Sequence, residues 1–541
     1  MNYKIKRLIL SAILLAVCIF TLSGCFENDG KNYIFKYDIS GNPRTLDPQT
    51  VRDSSGLELI ANIFDGLLRL DEDGDTVPAV AKSYTVSEDG LIYTFLLRDD
   101  VYWSDGDEFK TQCTAHDFVF SFQRLIKPST KSQSASDFYC IKNAQKIHSG
   151  QISDVKKLGV EAIDDFTLKI VLEYPNPTFP ILLTTAPAMP CNQEFYESCN
   201  GRYGLYDTTV ASNGAFYLHS WVYDQWSKES NYIILRRNPE NNADESICPY
   251  GLNFFIDEKD PYGDFTNGST HVYLSSGDEA ITLLEDGYSY DESDNSVWGI
   301  MFNLDSVFSN EQLRRALAYS IDRSGITYSS IGFSKAYSII PDTIRVGGTI
   351  YNDDDYESFF KYDSVLAKQM MDNLFESVSR DSVNGLTILC PDDESLSTYL
   401  SYVTQQWQSK IGFFCNISTV SQKTLDSRLE EGNFDFAFVR LSGDYNSPSA
   451  YLSSFRNDNS KNYSGHSNSG FDDLLKQAER EPDEKKAVKL YMQAEEFVID
   501  NALFIPICYQ SEYAFYAEGC EDIRYNPFSK TVTFREAKCF D

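Results

Sequence analysis

The feature that most constrains this fold is the alternation of strand-like and helix-like patterns between residues 386 and 439. Short apolar runs at 386–389, 413–417 and 434–439 predict β-strands, and a short helix is predicted at 425–431. Strands that alternate with helices form a parallel α/β sheet. An apolar stripe with the spacing of one helical face lies between the first two strands: Leu396, Tyr399, Leu400, Val403, Trp407 and Ile411.

Polar residues follow the last of these strands, at the place where parallel sheets bind ligands. Residues 440–446 occupy this position, ahead of a Ser-Pro turn. Asp444 is a suitable partner for an ammonium group, because an ionised carboxylate accepts the hydrogen bonds that an ammonium donates. The alternative is a turn at residues 444–446 whose side chains bond their own backbone.

The amino-terminal residues predict export and a lipid anchor. A short basic segment precedes residues 8–22, which are almost wholly apolar but fall short of the roughly 20 residues that a membrane helix needs. Residues 1–24 are therefore predicted to be a signal peptide. The Leu-Ser-Gly-Cys sequence at its end resembles a bacterial lipoprotein box, which implies acylation of Cys25 and makes residues 25–32 a polar tether. The alternative is a plain secretory signal with an incidental cysteine.

The formal net charge of −33 argues against nucleic acid as a partner, because phosphates need a basic protein face. Removing residues 1–24, which hold three basic and no acidic residues, makes the mature chain more acidic still. Such a charge suits a soluble extracytoplasmic protein and does not by itself define the charge of a ligand.

The cysteines give no sign of a metal or redox motif. Twelve are present, and ten remain when Cys18 and Cys25 are set aside. They are scattered and contain no Cys-x-x-Cys pair. Export permits disulfides, but their connectivity cannot be derived from the sequence, and buried free thiols are an equally open alternative.

A long run from residue 63 to residue 124 carries a family resemblance. It contains Ile-Phe-Asp-Gly-Leu-Leu at 63–68, Tyr-Thr-Phe-Leu-Leu-Arg at 93–98 and the helix-like segment 114–124. In order and spacing this run closely resembles the peptide/nickel solute-binding family (family 5) of ABC importers, and especially its oligopeptide-binding proteins. Further matches are the opening motif at 42–48, an Arg-Ala-Leu helix ending in Asp322-Arg323, and Gly-Asp-Tyr-Asn-Ser-Pro at 443–448.

The resemblance implies a two-lobed α/β fold of the periplasmic-binding-protein type (type II, cluster C), with an extra subdomain on the first lobe. The first lobe is expected to comprise residues 33–69, 191–297 and 507–541. Residues 70–190 would form the inserted subdomain, and residues 298–506 the second lobe.

The resemblance also implies the ligand-binding residues. In the family the aspartate of the Gly-Asp-Tyr-Asn motif takes the α-ammonium group of the peptide, and this role falls on Asp444. Tyr445 and Asn446 belong to the same motif. Arg440 and Ser442 are expected to offer backbone hydrogen bonds of the strand-addition kind. The chain just beyond the opening motif meets the ligand backbone in relatives: Arg52, Asp53 and Ser54.

Three departures leave the grip on the peptide carboxylate unassigned. An arginine that some relatives place in the preceding strand is Phe438 here. An aromatic residue near the ligand backbone is Leu441, and another at the end of the previous connection is Gln422.

The sequence therefore predicts a monomeric, lipid-anchored extracytoplasmic receptor without cofactor or metal. It would capture oligopeptides and deliver them to an ABC permease and its ATPase. Open alternatives are another cargo, such as a nickel chelate, haem or a sugar, and a peptide-sensing or chaperone-like surface protein without a transport role. Catalysis is disfavoured: Ser153 and residues 293–295 imitate two penicillin-binding motifs, but the third, Lys-Thr-Gly, is absent.

Overall fold

In this computed structural model, two lobes are built around one continuous eleven-stranded sheet, and a subdomain has a separate sheet of its own. It describes residues 30–71, 74–226, 231–241, 246–256, 258–326, 332–351, 362–383 and 385–540. The predicted signal peptide and Cys25 lie outside these ranges. Within them, none of the helices combines the length and the hydropathy needed to cross a bilayer.

The strands are short except for two. The two long strands, Ser289–Phe302 and Phe504–Tyr516, have 14 and 13 residues. The strands are β1 (Ile34–Ile39), β2 (Leu68–Leu70), β3 (Thr76–Pro78), β4 (Ala81–Val86), β5 (Ile92–Leu97), β6 (Tyr102–Ser104), β7 (Lys110–Gln112), β8 (Val160–Asp164), β9 (Thr167–Val171), β10 (Phe216–Val222), β11 (Tyr232–Arg237), β12 (Gly251–Ile256), β13 (Val272–Ser275), β14 (Ser289–Phe302), β15 (Phe333–Lys335), β16 (Arg345–Val346), β17 (Thr349–Ile350), β18 (Leu386–Pro391), β19 (Cys415–Val420), β20 (Phe436–Ser442), β21 (Phe504–Tyr516), β22 (Cys520–Glu521), β23 (Arg524–Asn526), β24 (Thr531–Thr533) and β25 (Lys538–Cys539).

Side-chain caps begin several of the helices. Thr114 and Asp117 form a capping box at the start of the helix Ala115–Ile126, and Asn310 caps the helix Glu311–Tyr319. The helices are α1 (Ser54–Ile63), α2 (Ala115–Ile126), α3 (Ala144–His148), α4 (Phe179–Leu182), α5 (Gln193–Ser198), α6 (Pro261–Thr266), α7 (Asp278–Asp286), α8 (Glu311–Tyr319), α9 (Ser364–Phe375), α10 (Glu394–Ile411), α11 (Gln422–Glu430), α12 (Pro448–Leu452), α13 (Ser469–Arg480) and α14 (Glu484–Asp500).

β14 and β21 connect the two lobes. The sheet order is β10-β11-β12-β1-β13-β21-β14-β20-β18-β19, with β15 also paired to β21. The two long strands are antiparallel from the Ser289–Tyr516 pair to the Met301–Phe504 pair. Ile505 and Ile507 of β21 pack in the second-lobe core, whereas Ala514 and Tyr516 of the same strand pack in the first-lobe core. The two strands therefore run from one lobe into the other.

A separate antiparallel sheet, in the order β4-β5-β9-β8, forms the subdomain. The apolar face of α2 packs against it: Phe118, Phe122, Leu125 and Ile126 are fully buried. These side chains share one core with β1 and β12 of the first lobe. The expected two-lobed α/β fold with a subdomain on the first lobe is thus confirmed. The proposed boundaries at 297/298 and 506/507 fall inside β14 and β21.

In the second lobe the predicted alternation is confirmed, with one correction at the end of β20. β18 pairs in parallel with β19 and with β20, as the strand–helix pattern indicates. The last strand was expected to end at Val439 but extends to Ser442. The reason is its antiparallel partner β14, which continues the ladder as far as the Ser296–Ser442 pair. Residues 440–442 are therefore part of the strand and do not follow it.

The cysteines are mostly buried. Cys520 and Cys539 lie opposite each other in the β22–β25 pair, with their Sγ atoms 2.8 Å apart.

A buried ion pair joins the opening segment to the subdomain. Arg124 of α2 donates to both carboxylate oxygens of Asp47, at 3.2 and 2.5 Å. It also donates to Gln49 at 2.6 Å and lies 4.1 Å from the ring centre of Tyr196. Both charged side chains are more than nine-tenths buried, so either one would be costly without the other.

We expect Arg124→Met to lower the free energy of unfolding by about 3–5 kcal/mol, because it leaves the Asp47 carboxylate buried without a cation. Urea unfolding followed by circular dichroism measures this change. Arg98→Met, which removes the cation of the more exposed Arg98–Asp100 pair, should cost about 1 kcal/mol or less. Equal losses in the two variants would contradict the role assigned to the buried pair.

Candidate functional site

A cavity of about 790 Å³ lies between the two lobes. Its walls come from the first lobe, from residues 133–137 and 181–189 of the subdomain, and from residues 343–345, 444–446 and 461 of the second lobe. Its volume is within the usual range of small-ligand sites. Nine acidic and six basic residues line it, so the walls favour a ligand that carries positive charge.

Asp444 lies on this cavity wall, where the sequence predicts a ligand contact. The alternative interpretation requires the Asp444 carboxylate to accept hydrogen bonds from the backbone of its own turn, and it does not do so. Instead Oδ2 accepts a hydrogen bond from Lys461 Nζ at 2.5 Å. The negative charge of Asp444 raises the pKa of Lys461 despite partial burial. The carboxylate thus already binds an ammonium group, the chemistry proposed for its ligand.

The turn that presents Asp444 is fixed on both sides. A Cβ atom at Gly443 would lie 2.7 Å from the Tyr451 ring, so a larger residue does not fit there. Tyr445 and Asn446 also line the cavity. The Tyr445 ring packs against the first-lobe core, and Asn446 Oδ1 accepts a hydrogen bond from the backbone N–H of Arg345 at 2.9 Å.

Of the three residues expected to meet the ligand from the first lobe, Arg52 alone lines the cavity. Its guanidinium donates to the carbonyl of Lys131 at 3.3 Å. Asp53 is the N-cap of α1 and accepts from the backbone N–H of Gly56 at 2.9 Å. Ser54 is the first residue of that helix, with its hydroxyl 3.3 Å from that of Ser40. Asp53 therefore stabilises the start of α1, and the preceding residue, Arg52, contributes to the cavity wall.

Arg440 and Ser442 lie in β20 and are not part of the cavity lining. The Arg440 guanidinium donates to Glu512 of β21 at 2.8 Å, and Lys530 binds the other oxygen of the same carboxylate at 2.5 Å. Ser442 pairs with Ser296 in the sheet. Arg440 thus contacts both strands that connect the lobes, and Ser442 contacts one of them, β14.

The three departures from the family pattern lie away from the cavity lining. Phe438 is fully buried in the second-lobe core. Leu441 is partly buried in the other core of that lobe, and Gln422 is an exposed residue of α11 that donates to Asp426. The two penicillin-binding-like motifs are also separated: Ser153 is exposed on the subdomain, whereas Ser293 is buried in β14 and lines the cavity.

The sequence did not identify several charged residues of the cavity. Arg535 Nη1 donates to Asp65 at 2.8 Å, and both residues line the cavity from the first lobe. Asp137 and Lys461 lie near Asp444 in the structure. In the sequence, Asp137 is far from both of them, and Lys461 follows Asp444 by 17 residues. No local motif marks them, and Asp65 could be found only as part of the Ile-Phe-Asp-Gly run.

The subdomain and the second lobe touch across the cleft. The Arg480 guanidinium lies 4.0 Å from the ring centre of Tyr174. Gln145 Nε2 donates to Asp458 Oδ2 at 3.3 Å. These contacts join residues from opposite sides of the cavity, and the lobes are therefore in a closed arrangement.

Comparisons with known proteins agree with this architecture. Residues 75–463 match the profile of bacterial extracellular solute-binding proteins, family 5 Middle. The oligopeptide-binding protein OppA of Bacillus subtilis (strain 168) is 26% identical over 97% of this chain and 98% of its own.

Solved structures show the same fold. The substrate-binding domain of an oligopeptide ABC transporter from Bacillus anthracis str. Ames has a TM-score of 0.79 at 26% identity, covering 94% of this chain and 99% of its own. The murein tripeptide-binding protein MppA of Escherichia coli has a TM-score of 0.80 at 25% identity, with coverage of 94% and 99%. An unliganded open form of MppA gives only 0.67, at 24% identity and with coverage of 94% and 97%.

We expect Arg480→Ala to raise the ratio of open to closed molecules by about two- to fivefold, which corresponds to the loss of a cation–π contact of roughly 0.5–1 kcal/mol at an exposed guanidinium. Small-angle X-ray scattering of the mature chain without added ligand would show a larger radius of gyration. Lys485→Ala removes an exposed cation from the neighbouring helix α14 and serves as the matched control. A radius that is unchanged in Arg480→Ala, or that grows equally in the control, would contradict this role.

Proposed function

The chain belongs to the family-5 bacterial extracellular solute-binding proteins, and we propose that it captures oligopeptides between its two lobes and delivers them to an ABC permease and its ATPase. Support comes from relatives that are named as oligopeptide-binding over nearly the full length of both chains. The domain limits expected from the sequence are part of this proposal, with β14 and β21 as the connections about which the lobes close.

The observation that carries the proposal is the position of Asp444. It lies on the cavity wall of the second lobe, in the motif that relatives use for the peptide amino end, and it holds an ammonium group at 2.5 Å. A peptide amino terminus has the same charge and the same three donors as the Lys461 side chain that it would join or replace. Closure around this pair lowers the local dielectric constant and strengthens the attraction.

The remaining contacts of the proposed site fall into two groups. Arg52, Tyr445 and Asn446 line the cavity and can meet the peptide directly. Asp53, Ser54, Arg440 and Ser442 adjoin that wall, and in this proposal they hold the helix and strand that present it. Specificity for many peptides then comes from backbone and end-group contacts.

We expect unmodified tri- to pentapeptides to bind the soluble mature chain, and Asp444→Asn to weaken that binding at least tenfold because the carboxylate charge is lost. Isothermal titration calorimetry measures both affinities. N-acetylated peptides, which lack the ammonium group, should bind the wild-type chain as weakly as free peptides bind the variant. Equal binding of acetylated and free peptides would contradict the proposed grip, and binding of another cargo alone would contradict a peptide receptor.

The proposal includes a lipid anchor at Cys25 and a location on the outer face of the cell membrane. Its support is the lipoprotein-like box at residues 22–25. Cys25→Ala should release the protein into the soluble extracytoplasmic or culture fraction, because the acylated residue is lost. Cell fractionation with immunoblotting tests this. Retention of the variant in the membrane fraction would contradict the anchor.

A further inference from the structure

Asp137 is a carboxylate of the subdomain that faces the same cavity as Asp444. It lies in the short 3₁₀ turn Ala135–Phe138, is partly buried, and lines the cavity from the side opposite the second lobe. Among the residues that the structure describes, none forms an ion pair with it.

The charges around Asp137 do not balance. Two cations act on it, Lys461 and Arg456, and so do two carboxylates, Asp444 and Glu479. Lys461 is bound to Asp444 at 2.5 Å, and Arg456 is bound to Glu479 at 3.3 Å. Both cations are thus engaged by other acids, and Asp137 is the carboxylate in excess. Arg456 also binds Asp458 at 3.2 Å, so the group has an excess of negative charge that an added cation would offset.

The pKa of Asp137 is raised, as expected for a carboxylate without a cation of its own. Burial raises its pKa to about 7, the charge of Lys461 opposes the rise, and the charge of Asp444 adds to it. A carboxylate that had its own cation would stay ionised well below that value. Several titratable and charged groups surround Asp137: Lys461, Arg456, Asp444, Glu479, Asp458, Tyr139, Cys140, Tyr174 and Tyr445.

We propose that Asp137 is a second ligand-binding carboxylate, which receives the ammonium group of a bound peptide together with Asp444. This inference rests on the proposed peptide-binding function and adds a contact from the opposite wall of the cleft. An ammonium donates three hydrogen bonds, which carboxylates from the two sides can share. The ligand charge would then connect the subdomain to the second lobe, and the closed state would be stabilised by the ligand itself.

Two sources could supply this ammonium: the amino terminus of the peptide, or a lysine side chain within it. Both have the same chemistry, and acetylation distinguishes them because it removes the terminal charge and leaves a lysine unchanged. In either case Asp137 must be ionised to bind. Ligand binding should therefore release a proton from the protein near neutral pH, and affinity should fall as the pH decreases from 7 to 5.

The experiment is calorimetry of the full mature chain at pH 6.5 in phosphate and in Tris. The heat difference between two buffers of unlike ionisation enthalpy gives the number of protons released. The probes are a library of unmodified tetrapeptides, the same library N-acetylated, and an acetylated library without lysine. At this pH a peptide amine, with an ordinary pKa of about 7.7–8.0, is already protonated, so released protons come from the protein.

For the unmodified library we expect proton release with wild type, and its loss in Asp137→Asn together with an affinity about tenfold lower. Asp99→Asn removes an exposed carboxylate of the same subdomain and should leave both quantities unchanged. Asp137→Glu should restore part of the release. If the acetylated library with lysine still shows an effect of Asp137→Asn on affinity and proton release, and the acetylated library without lysine does not, the ammonium belongs to a lysine side chain.

Equal affinity and equal proton release in wild type and Asp137→Asn would overturn the inference and leave the peptide receptor standing. If none of the libraries binds wild type or Asp99→Asn, the proposed function fails and the inference fails with it.

Discussion

The pairing of β14 with β21 is the constraint on which the rest of the structure depends. These two antiparallel strands continue one sheet through both lobes, and the cores of both lobes pack on them. The cavity lies where they cross from one lobe to the other, and residues 291–295 of β14 line it. Since the other covalent connections of the second lobe lie within it, relative motion of the lobes must pass through these strands.

The electrostatics of the cleft follow from this arrangement. Closure brings Asp137 of the subdomain towards Asp444 and Lys461 of the second lobe. Two carboxylates that approach each other in a partly buried place repel each other, and a cation bound between them offsets this repulsion. A receptor with this geometry closes more favourably around a positively charged ligand end than around an empty cleft. The specificity and the closure of the lobes would then have one physical cause.

Local patterns in the sequence predicted much of the fold. The apolar stripe from Leu396 to Ile411 forms the buried face of α10, and the parallel strands of the second lobe follow the expected alternation. The predicted end of β20 was wrong because the strand is extended by pairing with β14, which is distant in the sequence. The polar start of β14, from Ser289 to Asn295, has no apolar alternation that could have indicated a strand. Its structure comes from pairing with β21.

The candidate site was predicted only in part, for the same reason. Asp444 lies on the cavity wall as expected, whereas Asp53 caps a helix and Arg440 pairs with Glu512. Asp137 and Lys461 are 324 residues apart in the sequence, and the closed fold brings them near enough for their charges to interact. The most direct test is a crystal structure of the mature chain with a bound peptide. We expect the amino nitrogen of the peptide to lie within hydrogen-bond distance of Asp444, with Asp137 on the opposite side. An amino end placed elsewhere in the cavity would contradict the proposed binding site.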